Sequence, residues 1–218
     1  MTTDSEAMAG IEDREMILPN TGLRVRAFCT PAEIEGFAFD AQFGTHAQYK
    51  SLYTKRESLE KNARTPGANV VIVLDKRNTI VGFGVLNHPE ADERWAALGH
   101  GVMMEIKAIE VSRSRRSKGV AGAIMTMLLR HPRVEDMIVY MVGFSWTWDL
   151  DGSGMSAAAY RNMLINLFAP HGFQEFQTNE PNICLKPENL FMGRVGARVP
   201  ENLQKAFKWI RFGVNPAV

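Results

Sequence analysis

The 218-residue sequence predicts one α/β (α+β) domain in which a mixed sheet is covered by helices. Three observations carry this reading. Apolar strand-like runs alternate with helix-like stretches in the order strand, helices, hairpin, strand, helix, strand, helix, strand. No internal repeat, low-complexity block or linker divides the chain. The 45% hydrophobic and 22% charged composition is that of an ordinary globular protein, long enough to bury a core.

Each element has a local reason. Residues 1–15 are rich in acids and read as a flexible tail, leaving 16–218 as the domain. "LRVRAFC" (23–29) alternates apolar and basic residues at period two, as a half-buried strand does. Thr30-Pro31-Ala32-Glu33 then places a capping hydroxyl, a first-turn proline and an acid where a helix starts. A polar helical stretch over 48–62 ends before Pro66-Gly67. Residues 70–74 and 80–86 are apolar strands joined by a polar turn at 75–79, the clearest hairpin in the chain.

After a charged loop over 90–101, "MMEIKAIEVS" reads as a strand, and 120–130 has the length and composition of a helix that His131-Pro132 stops. "MIVYMVGF" (137–144) is long enough for a central strand. An aromatic loop, "SWTWDLDGSG", leads to a helix over 155–168 and a short strand over 173–178. Asn179-Glu180-Pro181 and Pro187 break the chain before a last helix, 201–212, a C-terminal helical extension.

Composition excludes several functions. With 25 basic and 24 acidic residues the formal net charge is +1, so the chain is no general polyanion binder and no nucleic-acid partner is expected. Any anion site must be local. Cys29 and Cys184 form no C-x-x-C pair, and His88, His100 and His171 lack ligand spacing, so no metal is expected. No apolar run approaches the roughly 18 residues of a membrane span, and the acidic first fifteen residues do not look like a signal segment. The expected location is cytoplasmic.

The chemistry concentrates in "EVSRSRRSKGVAGAIM" (110–125), where Arg113, Arg115, Arg116 and Lys118 precede an apolar helix. A strand, a glycine-containing turn and a helix together present unpaired backbone N–H groups to an anion. Gly119 permits close backbone approach, while Ala121 and Gly122 keep the surface bare. The spacing of a P-loop or a dinucleotide fingerprint is absent. The bland alternative is a solvated basic turn.

Arg116-x-x-Gly119-x-Ala121, after a strand and before an apolar helix, resembles the acyl-coenzyme A loop of the GNAT superfamily of N-acetyltransferases. The blocks "ERWAALG", "MEIKAIEV", "WTWDLDG", "AAAYRNM", "TNEP", "FMGRVG" and "AFKWIRF" look more narrowly like the acetoin-utilisation acetyltransferases. The resemblance implies a mostly antiparallel, twisted sheet with helices on both faces. It also implies acyl-coenzyme A bound at the splay between the fourth and fifth strands. Acetyl-CoA would be the cosubstrate, its pyrophosphate held by Arg116, Ser117, Lys118, Gly119, Val120, Ala121 and Gly122, its pantetheine arm by the main chain of Ile109 and Val111. The implied acceptor is a lysine of acetyl-CoA synthetase. A small-molecule amine N-acetyltransferase and a non-catalytic acyl-CoA sensor are the alternatives.

Acetyl transfer to an amine needs a base, since a free lysine (pKa about 10.4) is neutral only at about the one-in-a-thousand level near pH 7. Glu105 lies eleven residues before Arg116, the spacing of the general base in the superfamily's histone acetyltransferases; an ion pair with Lys107 is the alternative. Glu110, beside Val111, is a second candidate. Many family members place a tyrosine four residues before Gly-Phe as the acid, but here Phe168 precedes Gly172-Phe173, and Tyr160 is the candidate replacement. Trp146, Trp148 and Asp149 either line a lysine channel or serve as core and turn with Gly152.

Overall fold

Six consecutive buried residues, "NVVIVL", five of them apolar, form a strand covered on both faces, and the chain builds outward from it. The computed structural model describes residues 14–45 and 53–214. The chain divides into two compact units, Met1–Asn87 with Lys107–Pro132, and His88–Ile106 with Arg133–Val218. Expectations for residues 1–13 and for 48–52 lie outside the described residues.

In the first unit β1 (Glu15–Leu18) and β2 (Leu23–Arg26) pair antiparallel. Helix α1 (Pro31–Glu35) follows, then β3 (Ala38–Phe39), α2 (Gln42–Thr45) and α3 (Arg56–Ala63). The α1 start is as its sequence dictates: Thr30 and Glu33 form a reciprocal capping box. The hairpin of β4 (Asn69–Leu74) and β5 (Thr79–Asn87) is antiparallel, with Asp75 Oδ1 accepting from the amides of Arg77 and Thr79 in its turn. Strand β6 (Met103–Val111) lies beside β5, giving the order β1-β2-β4-β5-β6, with β3 added parallel to the start of β5.

Both faces of this sheet are covered. Val70, Ile72, Leu74, Phe83 and Val85 pack with Ile34, Phe43 and Leu59 of the first three helices. On the other face Gly84 opens space for α4 (Val120–Leu128): an added Cβ would meet Leu128 Cδ1 at 2.9 Å. The buried side chain of Asn69 fastens that helix: its Nδ2 donates to Met127 O (3.0 Å) and Leu128 O (3.1 Å), and its Oδ1 accepts from Phe28 N (2.9 Å).

In the second unit the first residues of β6 pair parallel with β7 (Ile138–Gly143), Met103 to Ile138 and Glu105 to Tyr140. Two helices follow, α5 (Leu150–Ser153) and α6 (Ala157–Phe168), then β8 (Gln174–Glu175), α7 (Pro181–Cys184), β9 (Leu190–Val195) and α8 (Glu201–Ile210). The order is β6-β7-β9-β8, with β9 antiparallel to both neighbours. Its core joins Trp95, Met103, Ile138, Tyr140 and Phe191 to Ala206, Phe207 and Ile210 of α8.

The mixed, mostly antiparallel sheet agrees with the sequence reading. Three strands are additional to it: β1, which begins at Glu15 within the expected tail, the two-residue β3, and β9. β9, in "LFMGRV", was hidden because Leu190 to Met192 are buried in succession, without alternation, and Gly193 weakens the β pattern. Gly193 is there because Phe176 and Phe207 close on it: a Cβ would lie 3.2 Å from Phe176 Cε2.

Candidate active site

The loop after β6 is shaped by its own side chains. The Ser112 hydroxyl donates to Asp40 Oδ2 (2.7 Å), and its amide to Val81 O (2.9 Å). The Ser114 amide donates to Gln42 Oε1 (3.2 Å), and Gln42 Nε2 returns a bond to Ser114 Oγ (2.9 Å). Arg115 pairs with Asp75 (3.5 Å), while Arg116 Nε turns back to Val111 O (3.1 Å). Two of the four basic side chains of the cluster, Arg115 and Arg116, thus turn to acceptors of the protein itself and help to hold the loop in place.

The turn then takes two left-handed residues, Ser117 (φ +61°) and Gly119 (φ +73°), before α4 begins. The first i→i−4 bond of the helix runs from Ala123 N to Gly119 O, so the amides of Val120, Ala121 and Gly122 precede it. Added Cβ atoms on Gly119 or Gly122 would meet nothing within 4 Å. Val120 is buried and anchors the turn, whereas Ser117, Lys118 and Gly119 are exposed. Open space above a ring of helix-terminal amides suits a diphosphate. On β6 of this unit Ile109 and Glu110 are half-buried and Val111 is buried.

In the second unit Glu105 is half-buried on β6, level with Tyr140 of β7. Trp148 and Tyr160 come together: their rings stack at 5.1 Å and 16°, with Trp148 buried and Tyr160 half-buried in the first turn of α6. Asp149 is buried and caps α5, its Oδ1 accepting from Gly152 N (3.1 Å). Trp146 is 40% exposed, stacked on Phe144 (4.8 Å) and covered by the Lys186 ammonium 5.0 Å from its ring centre. Asn189 steadies this aromatic loop, its Oδ1 accepting from Ser145 N (2.7 Å). His171 is held below its ordinary pKa by burial, and the rings of His88 and His100 lie 4.5 Å apart. Among the described residues no three His, Cys, Asp or Glu side chains gather as a metal site, and no helix is long and apolar enough to cross a membrane.

Sequence reasoning overlooked Tyr140 and Glu93. The first reads as one more residue of an apolar strand, the second as part of a charged loop. The available signal was the phenol itself: a hydroxyl in a fully buried strand must find an acceptor.

No family model matches the sequence. The chain is 28% identical over 183 residues to the acetoin utilization protein AcuA of Bacillus subtilis (strain 168), covering 84% of this chain and 85% of that protein. Its fold matches the acetoin utilization protein of Exiguobacterium sibiricum 255-15 with a TM-score of 0.82, at 22% identity and over 91% and 93% of the two chains. The GNAT domain of S. lividans PAT matches with a TM-score of 0.55, at 12% identity and over 82% and 94%. The chain is thus similar to AcuA along most of its length and shares the fold of a GNAT domain.

Proposed function

We propose that this acetyltransferase moves the acetyl group of acetyl-CoA to a lysine side chain of a protein, and that the protein is an acetyl-CoA synthetase. The observation that carries the coenzyme reading is the turn at Ser117 and Gly119, with its left-handed backbone and the open space over the first amides of α4. Those amides, from Val120 to Gly122, take the pyrophosphate, and Lys118, exposed at the rim, adds charge. The main chain of Ile109 and Val111 takes the pantetheine arm. The choice of acceptor is supported by the relatedness to AcuA and by the acetoin-utilisation blocks in the sequence.

In this reading Glu105 accepts a proton from the lysine ammonium, because the neutral amine is otherwise scarce at pH 7. Glu110 is the second carboxylate proposed for this role. A backbone N–H of β6 meets the charge that grows on the thioester oxygen. The departing thiol has a pKa near 8.5, so thiolate leaves without a strong acid; Tyr160 is the group proposed to protonate it. Trp146, Trp148 and Asp149 are proposed for the acceptor side, where the partly exposed Trp146 ring already carries the Lys186 ammonium.

The test is to incubate the full chain with labelled acetyl-CoA, acetyl-CoA synthetase and a panel of free amines, and to follow the label. Label on a synthetase lysine supports the proposal, and label on a free amine alone replaces the acceptor. Coenzyme binding without any transfer would leave a sensor and overturn the catalytic reading of this chain.

A further inference from the structure

Tyr140 is fully buried, its ring against the stacked pair of Trp95 (5.4 Å) and Phe191 (5.6 Å) in the core of the second unit. Its hydroxyl donates to Glu93 Oε2 at 3.3 Å. The same oxygen accepts from the Glu90 amide, also at 3.3 Å, so the Glu93 carboxylate is held from two sides at the head of the 3₁₀ turn Arg94–Leu98. Across the parallel ladder, Glu105 is the register partner of Tyr140. Partners in register project to one face of a sheet, as Met103 and Ile138 do one period earlier in the same core. A bonded carboxylate, Glu93, and a register partner, Glu105, therefore both attend one phenol.

The charged surroundings of this group are one-sided. Glu105 faces it from β6, and Glu93 and Glu90 from the segment before the turn. β9 and α8 contribute the uncharged rings of Phe191 and Phe207. Beside Glu93 in sequence, Arg94 is drawn to Glu180 (3.1 Å) and Asn179 (2.6 Å), and on β6 the cation nearest to Glu105 in sequence is Lys107. Burial, with the three carboxylates behind it, pushes the phenol above its ordinary range, so it stays a donor at any working pH.

We infer that Tyr140 and Glu93 are positioning residues for Glu105: the buried hydroxyl fixes the Glu93 carboxylate on the Glu105 face, and the negative charge held there makes Glu105 a stronger base. This rests on Glu105 as the base in the reading above. A like charge favours the protonated form of its neighbour, and a carboxyl so raised takes a proton from an ammonium more readily. The sequence alone could not show this, because Glu93 is twelve residues from Glu105 and in a different element.

The test compares Glu93→Gln, Tyr140→Phe and Glu105→Gln in the full chain, measuring kcat/KM against pH with the acceptor identified above, acetyl-CoA affinity, and thermal unfolding. Glu93→Gln keeps an acceptor for both hydrogen bonds but loses the charge, so the acidic limb should move to lower pH by roughly one unit. Tyr140→Phe keeps the ring stack but releases Glu93, so the limb should move the same way by less. Acetyl-CoA affinity should stay within about twofold in both. An acidic limb unmoved in both variants, with Glu105→Gln abolishing it, overturns the inference and leaves the base in place. If Glu105→Gln itself keeps the limb and the plateau, Glu105 is not the base and the inference falls with it. Should Tyr140→Phe fail to fold, the isosteric Glu93→Gln decides alone.

Discussion

Replacing Gly119 separates the two things that the residue does. It sits at φ +73°, where an L side chain costs about 1–2 kcal/mol, and it fronts open space, so no side chain of the protein blocks a substitute. Gly119→Asn and Gly119→Asp should therefore lose similar stability, a few degrees in Tm at about 2–4 °C per kcal/mol for a chain of this size. Their coenzyme affinities should differ widely. A carboxylate about 5 Å from a diphosphate, at an effective dielectric of about 20, is opposed by roughly 3 kcal/mol per unit charge. That is more than about two orders of magnitude in Kd. Calorimetric titration with coenzyme A measures the affinities and unliganded thermal unfolding measures the backbone cost. Equal affinity loss in the Asn and Asp variants would show that geometry, not charge, is at issue. Wild-type affinity in Gly119→Asp would place the anion elsewhere.

Three other outcomes test the fold around these sites. Asn69→Ala strands the Phe28 amide and two helix-terminal carbonyls, and should cost about 2–4 kcal/mol in denaturant unfolding; a neutral effect would mean that water replaces all three bonds. Burial, followed by the Glu33 charge, pushes the Cys29 thiol up to about 12 against the pull of Arg26 and Arg14. Only Cys184, which is exposed, should then react quickly with a disulfide reagent at pH 8, and Cys29 should react only on unfolding. The Ala197 amide and the Arg194 guanidinium hold the Glu135 carboxyl below the usual carboxylate range. A depressed folded pKa stabilises above the unfolded value, near 4.3, and that stability fades as pH falls through the folded value. The stability gap between the wild type and Glu135→Gln should therefore be full at pH 7 and shrink below about pH 4; a gap constant with pH refutes this origin.

The parts of the fold that could be read from sequence are those with local causes. Thr30 and Glu33 announce α1, Asp75 announces the hairpin turn, and Gly119 marks the start of α4, each through short-range chemistry. β9 escaped because a strand buried on both faces carries no alternation, and its place against β7 is a long-range fact. Within the candidate site the turn into α4 was legible because a backbone motif needs particular residues at fixed spacing. The environment of Glu105 was not, since Tyr140 stands level with it by strand register and Glu93 meets Tyr140 from a turn outside both strands. Asp149 shows the converse. Its bond to Gly152 N fits the turn that its local sequence allows, while its proposed part in acceptor binding needs a bound acceptor to appear.

The fastening of residues 112–116 to Asp40, Gln42, Asp75 and Val111 bears on how coenzyme would arrive. A loop tied down in this way surrenders its conformational freedom during folding, when β3, β5 and their neighbours assemble, not when ligand comes. Association should then carry little ordering entropy and little change in hydrogen-exchange protection over the loop, and its speed should be set by diffusion and orientation. Cutting one tether, such as the Ser112 hydroxyl to Asp40, would shift that entropic cost back to the binding step without removing a single group that meets the ligand.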